Sequence, residues 1–180
     1  MEPMNGSSAI DITRPLCRDT RPWPGDAPFR RTVVVQDGWT ISRLRMSAHS
    51  GTHMDAPLHR IPGGPSIDMI PLDRMVLPAL VCDSVPEHCR GVAVLLSRSV
   101  TGIEASELVH RGAELVGTAE MSIDMGDCDD AHLALLGAGI PVVENLLLEG
   151  VEHGRYTLVC LPLRIVGGDG SPVRAILFKN

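Results

Sequence analysis

Aromatic side chains are scarce here. They make up 3% of the 180 residues, and Trp23, Trp39, Phe29, Phe178 and Tyr156 are the whole set. A single-stranded nucleic-acid surface relies on stacked aromatic rings. The formal net charge of −6 also opposes a phosphate backbone, which demands a basic face. No apolar run approaches the roughly 20 residues of a membrane helix. Residues 1–8 have neither a basic end nor an apolar stretch, so no signal peptide is expected there. The start, up to position 9, reads as a loose tail. Five cysteines (17, 82, 89, 128 and 160) form no CxxC pair, and their number is odd. Neither a disulfide framework nor a thiolate zinc site is expected, and a reducing cytoplasm fits. Cys82 and Cys160 lie in apolar runs and read as core residues.

What remains is ordinary globular material. Hydrophobic residues are 44% of the chain and charged residues 21%, as in soluble proteins generally. A length of 180 suits one domain, residues 1–180, with a core that needs no staples. Segments 32–36 and 40–46 read as strands around the turn Asp37-Gly38. Alternation in the second is imperfect, with Ile41, Leu44 and Met46 among Ser42, Arg43 and Arg45. Further short apolar or β-branched runs fall at 75–82, 92–96, 115–118, 141–143, 156–163 and 173–178. Two short helices separate them. One follows Thr101-x-x-Glu104, a capping-box pattern, and ends near Gly112. The other opens at Asp129 or Asp130 and closes at Gly137. Fourteen prolines and 18 glycines mean tight loops, concentrated at 21–28 and 57–71. The fold class expected is a strand-rich α/β domain with few short helices.

The chemistry is concentrated in one run, His49-Ser50-Gly51-Thr52-His53-Met54-Asp55-Ala56-Pro57-Leu58-His59. Three of the chain's seven histidines and a carboxylate fall within eleven residues. Imidazole nitrogen and carboxylate oxygen are the usual ligands of a catalytic divalent metal. A helical i, i+4 pair is disfavoured by Gly51 and by the downstream Pro57, Pro62 and Pro65. An extended chain serves better, because His53 and Asp55 then face the same way and a turn brings His49 back beside them. The competing reading is a histidine-rich surface loop. Glu144 breaks an apolar stretch, and His132 lies on the second helix. Taken alone, Glu144 reads as a carboxylate paired with an arginine and His132 as a solvated helix residue.

The run resembles the HxGTHxDxPxH signature of the metal-dependent cyclase-like hydrolases, which include bacterial arylformamidases (kynurenine formamidases) and isatin hydrolases. Asp11-Ile12-Thr13, Trp23-Pro24-Gly25-Asp26 and the segment from Leu161 to Ala175 are similar to other family motifs. The resemblance implies His49, His53 and Asp55 as metal ligands and His59 as the acid/base. It adds His132 and Glu144, twelve apart, as the remaining ligands, with Asp55 and Glu144 bridging two zinc ions. Manganese is the alternative metal. Trp23 would line the substrate pocket. Read as residues alone, Pro24-Gly25 is a tight-turn pair and the segment from Gly167 to Pro172 a loop between strands, and both are expected to be mostly architectural. The implied fold is the swivelling β/β/α domain, assembled as a homodimer or larger. The implied reaction is hydrolysis of an aryl amide, with N-formylkynurenine the reference substrate. An isatin-type lactam hydrolase, a metal-dependent cyclase or dehydratase, and a non-catalytic metal-binding homologue are the alternatives. Residues 97–120 are shorter than in most relatives, and Glu120 stands where an aspartate is usual. That stretch is expected to shape the pocket.

Overall fold

An apolar run such as Ala93–Leu96 has no polar face to give to water, so a strand made of it must be covered on both sides. The computed structural model, which describes residues 9–179, provides that cover with a closed barrel inside and two helices outside. Eight strands build the main sheet: β1 (Ala9–Asp11), β4 (His53–Asp55), β5 (Val76–Cys82), β6 (Ala93–Leu96), β7 (Leu115–Thr118), β8 (Val142–Glu144), β9 (Gly154–Pro162) and β10 (Gly170–Lys179). Their order is β1-β10-β4-β8-β7-β6-β5-β9, and β9 pairs back onto β10. Seven strands thus close a barrel, with β1 added beside β10. The pairings β5–β6, β6–β7 and β7–β8 are parallel, and the others are antiparallel. Of the expected tail, residues 1–8 lie outside the described residues, whereas Ala9 opens β1.

Alternation along the strands divides the core in two. Met54, Leu95, Leu115, Val143, Leu158, Ala175 and Leu177 point into the barrel. Their neighbours Val94, Leu96, Val116 and Val142 point outwards, against α1 (Gly102–His110) and α2 (Asp130–Gly137). Gly117 fits the barrel interior only because it has no side chain. A Cβ there would lie 2.7 Å from both Leu146 and Leu95. The expected cysteine burial holds for Cys160, while Cys82 is only half-buried.

The capping box of α1 is present: Thr101 Oγ1 accepts from the Glu104 amide, and the Thr101 amide donates to Glu104 Oε2. Arg98 adds a fork onto the same carboxylate, with Nη2–Oε1 at 2.6 Å and Nη1–Oε2 at 3.1 Å. The strands β2 (Arg30–Gln36) and β3 (Trp39–Arg45) pair only with each other. Asp37 (φ 50°) and Gly38 (φ 79°) make the two-residue turn between them, as their sequence demands. Both faces of this hairpin are open, with Val35 70% and Trp39 75% exposed. No helix among the described residues is long and apolar enough to cross a membrane.

Candidate metal centre

Because Met54 and Val143 fill the barrel, their neighbours on β4 and β8 must face outwards. Antiparallel register sets His53 opposite Glu144 and Asp55 opposite Val142. The i, i+2 pair on β4 and the cross-strand Glu144 therefore share one outer patch. The turn before β4, with Gly51 at φ 66°, carries His49 to its edge. A short 3₁₀ turn, Pro57–His59, carries His59. Helix α2 packs over the patch and brings His132 from its first turn.

All six residues converge. Asp55 Oδ1 lies 2.7 Å from His49 Nδ1 and 3.4 Å from His53 Nε2, while Oδ2 lies 3.4 Å from His132 Nε2. Glu144 spans the same two imidazoles, with Oε2 3.5 Å from His53 Nε2 and Oε1 3.2 Å from His132 Nε2. Donor atoms around one tetrahedral ion with bonds of 2.0–2.2 Å stand about 3.3–3.6 Å apart. The spacings of Asp55 and Glu144 from His53 and His132, 3.2–3.5 Å, are close to that edge length, whereas His49 sits at hydrogen-bond distance from Asp55, so the donor set fits a divalent ion. Two ligand groups can be drawn, His53-Asp55-Glu144 and His49-Asp55-His59, and Asp55 belongs to both. His59 is thus near enough to serve as a ligand as well as a proton carrier.

Hydrogen bonds orient the rings. His53 Nδ1 donates to the Gly51 carbonyl at 2.8 Å, which frees Nε2 for the patch. His132 Nδ1 is held by Asp124 Oδ2, with the same consequence. Fixing the remote ring nitrogen in this way is the usual support of a metal-binding histidine. Asp124 has a second task, because its Oδ1 accepts from the Ala131 amide at 2.7 Å and caps α2. Glu144 Oε1 accepts from the Ile123 amide at 2.6 Å.

The electrostatics favour a cation. Burial opposes charge on His132, but its bonds to Asp124, Asp55 and Glu144 more than offset this and push it up to about 12. Burial likewise works against charge on His49, and Asp55 and Asp169 raise it to about 9. Burial raises Asp55, yet the surrounding imidazoles hold it well below the usual carboxylate range.

Four readings change, the first two being those of His132 and Glu144 taken alone. His132 is buried, not solvated, and the partners of Glu144 are histidines and an amide, not an arginine. The segment from Gly167 to Pro172 is not merely architectural, since Asp169 Oδ2 lies 3.0 Å from His49 Nε2 and 3.3 Å from His59 Nδ1. Residues 97–120 do not line the cavity above the patch. Its wall comes instead from Met121, Ser122, Asp124 and the loop from Gly126 to Asp129. The cavity holds about 610 Å³, and Trp23, half exposed, stands on its wall. Asp124 and Asp169 were not singled out as site residues from the sequence, and no local pattern marks either one.

Known proteins show the same arrangement of chain. Residues 10–115 match the family model for Cyclase. A kynurenine formamidase of Salinibacter ruber (strain DSM 13855 / M31) is 39% identical over 203 residues, covering 93% of this chain and 96% of the relative. A solved structure of a potential metal-dependent hydrolase with cyclase activity superposes with a TM-score of 0.86 at 27% identity, covering 96% of this chain and 98% of that one. Isatin hydrolase A from Labrenzia aggregata, bound to benzyl benzoate, gives 0.79 at 25% identity, with 94% and 92% covered. The barrel with two helices is thus the fold of these hydrolases. A match over more than half of the chain, and a relative aligned along nearly its full length, establish that this protein belongs to the Cyclase family.

Proposed function

We propose that this protein is a metal-dependent hydrolase of aryl amides, of the kynurenine formamidase type, converting N-formylkynurenine to kynurenine and formate. The observation that carries the proposal is the convergence of four imidazoles and two carboxylates at the floor of a cavity of about 610 Å³ walled by an indole. His49, His53, Asp55, His132 and Glu144 are the residues that would hold the metal. Asp55 reaches His49, His53 and His132, and Glu144 reaches His53 and His132, so the two carboxylates together would suit a dinuclear site. Zinc suits this donor set, with manganese the alternative. A bound divalent ion supplies Lewis acidity and lowers the pKa of a water ligand from near 16 to about 7.

The chain's own residues do the rest. Trp23 offers a flat apolar face on which the aryl ring can pack. Walls on α2 and the loop after Met121 confine the scissile group above the patch. His59 takes a proton from the attacking water and returns it to the departing nitrogen. One C–O bond forms, the C–N bond breaks, and water supplies the hydroxyl of formate and the hydrogen of the aryl amine. Isatin-type lactam opening is the second reading, favoured by the structural likeness to isatin hydrolase A. The homo-oligomer expected of the family is supported by the β2–β3 hairpin. It carries Arg30, Arg31, Arg43 and Arg45 with open apolar faces, on a chain of net charge −6.

The decisive experiment measures metal content per chain by plasma mass spectrometry, then turnover of N-formylkynurenine, a simple N-formylaniline and isatin by that same sample. Rapid deformylation by metal-replete protein, lost on chelation and restored by zinc or manganese, is expected. Isatin opening without deformylation would transfer the assignment to the lactam reading. No turnover at full occupancy would refute both.

A further inference from the structure

We infer that Asp169 is the positioning residue of His59: it accepts the Nδ1 proton and so aims Nε2 into the cavity. This rests on the reading of His59 as the proton carrier. Among the described residues, the ion pairs of this carboxylate are with His49 and His59 and with no lysine or arginine. Its Oδ2 lies 3.3 Å from His59 Nδ1 and 3.0 Å from His49 Nε2. The two rings lie side by side, with centroids 4.2 Å apart and planes inclined by 38°, so one oxygen reaches both.

The backbone makes this placement durable. The Asp169 carbonyl accepts from the Ala56 amide at 2.9 Å, immediately before the turn that carries His59. The preceding Gly168 carbonyl accepts from Ile67 at 2.8 Å, and the following Gly170 pairs with Asp55. Asp169 and Gly170 are therefore tied to Ala56 and Asp55, directly before the turn that presents His59.

The chemical consequence follows from tautomerism. A neutral imidazole has one N–H and one lone pair, and the bond made by one nitrogen decides the state of the other. With Nδ1–H committed to Asp169, the lone pair is on Nε2, which has no protein partner among the described residues. That nitrogen is the one able to accept a proton from water in the cavity. The carboxylate also favours the imidazolium formed after that transfer, as in the Ser-His-Asp arrangement. A purely structural role, tying β10 to the His59 turn, would need the backbone bonds alone.

The test is Asp169→Asn, nearly isosteric but uncharged, in the zinc-loaded protein. At saturating zinc, full metal occupancy, an unchanged KM and a kcat lowered about 10–100-fold are expected, the usual effect of removing such a partner. Nitrogen-15 NMR of the imidazoles gives a readout that needs no substrate. In the parent protein His59 should show a protonated Nδ1 and a bare Nε2, and Asp169→Asn should shift that balance. The double variant with His59→Ala should be no slower than His59→Ala alone, because both act through one proton transfer. A parent spectrum with the proton on Nε2 would overturn the inference even if no variant folds. So would a kcat unaffected by Asp169→Asn, or a loss of metal with normal turnover per metal bound, which would make His49 the true client. If the parent hydrolyses no amide, the functional reading fails while the NMR result still decides the positioning claim.

Discussion

Gly170 is the most demanding small residue in the site, and Gly170→Ala tests the geometry sharply. A Cβ there would sit 2.7 Å from His49 Cε1, 3.2 Å from His49 Nδ1 and 3.0 Å from the Met54 carbonyl oxygen. Non-bonded carbons pack at about 3.5–4.0 Å, so close to 1 Å of movement must be found. Met54 is fully buried in the barrel, and its carbonyl belongs to β4. The ring of His49 is held at both nitrogens, by Asp55 at 2.7 Å and Asp169 at 3.0 Å. Ligand positions in metal sites tolerate only about 0.2 Å. Displacing His49 should therefore weaken divalent-metal affinity by about 10–100-fold. Overpacking should also cost about 1–3 kcal/mol, and each kcal/mol lowers Tm by about 2–4 °C at this chain length. Competition against a chromophoric chelator reads the first effect and calorimetry of the metal-free protein the second. Gly137→Ala is the control, since a Cβ there meets only Ile61 at 3.8 Å and alanine favours a helix. Parent-like affinity and Tm in Gly170→Ala would refute the claim that His49 is sterically fixed.

Other perturbations separate the roles of the site residues and probe the scaffold. His59→Ala should retain its metal and lose about 10²–10⁴ in kcat, the range of positioned proton transfer. Loss of metal by that variant would instead make His59 a ligand. Asp55→Ala should release metal and activity together, because Asp55 alone belongs to both ligand groups, and full occupancy by elemental analysis would contradict this. Glu104 is lowered from the usual 4.5 to about 2, chiefly by its hydrogen bonds to Arg98. Its contribution is therefore complete above pH 4.5 and disappears as pH falls through about 2. Glu104→Gln keeps the capping bond and loses the ion pair with Arg98, so it should cost about 0.5–1 kcal/mol at pH 7, with the gap in urea midpoint half closed near pH 2 and gone below it. A gap that persists there would show that charge is not the cause.

Much of the scaffold was legible because its signals are local. The run 115–118 agrees with β7 residue for residue, since Leu115–Thr118 is an apolar stretch bounded by a helix end and a turn. Thr101 and Glu104 announce α1 because a capping box is completed within four residues. Asp37-Gly38 announces its hairpin because only such residues accept two successive positive φ angles. What failed was long-range. β10 starts at Gly170 and not near Val173, because Gly170, Ser171 and Pro172 pair with β4, more than a hundred residues away. Barrel closure through β9 and β10 depends on the same kind of pairing, which carries no signal within either strand.

The candidate site divides along the same line. His49, His53, Asp55 and His59 lie in one turn-strand-turn unit, so their density shows in the sequence itself. Glu144 showed only as a break in an apolar stretch and His132 as a helix residue: they join the unit because α2 covers the barrel wall and β8 pairs with β4. Asp124 and Asp169 were still harder to see. Each orients a ring through contacts that exist only after folding, 8 residues away for Asp124 on His132 and 110 or 120 for Asp169 on His59 and His49. Asp124 explains why such a residue is hard to recognise. The oxygen that caps α2 and the oxygen that orients His132 belong to one carboxylate, so one side chain serves both the helix end and the ring. A residue placed by the fold for a structural bond, and used by the site for a chemical one, looks from the sequence like any other loop aspartate.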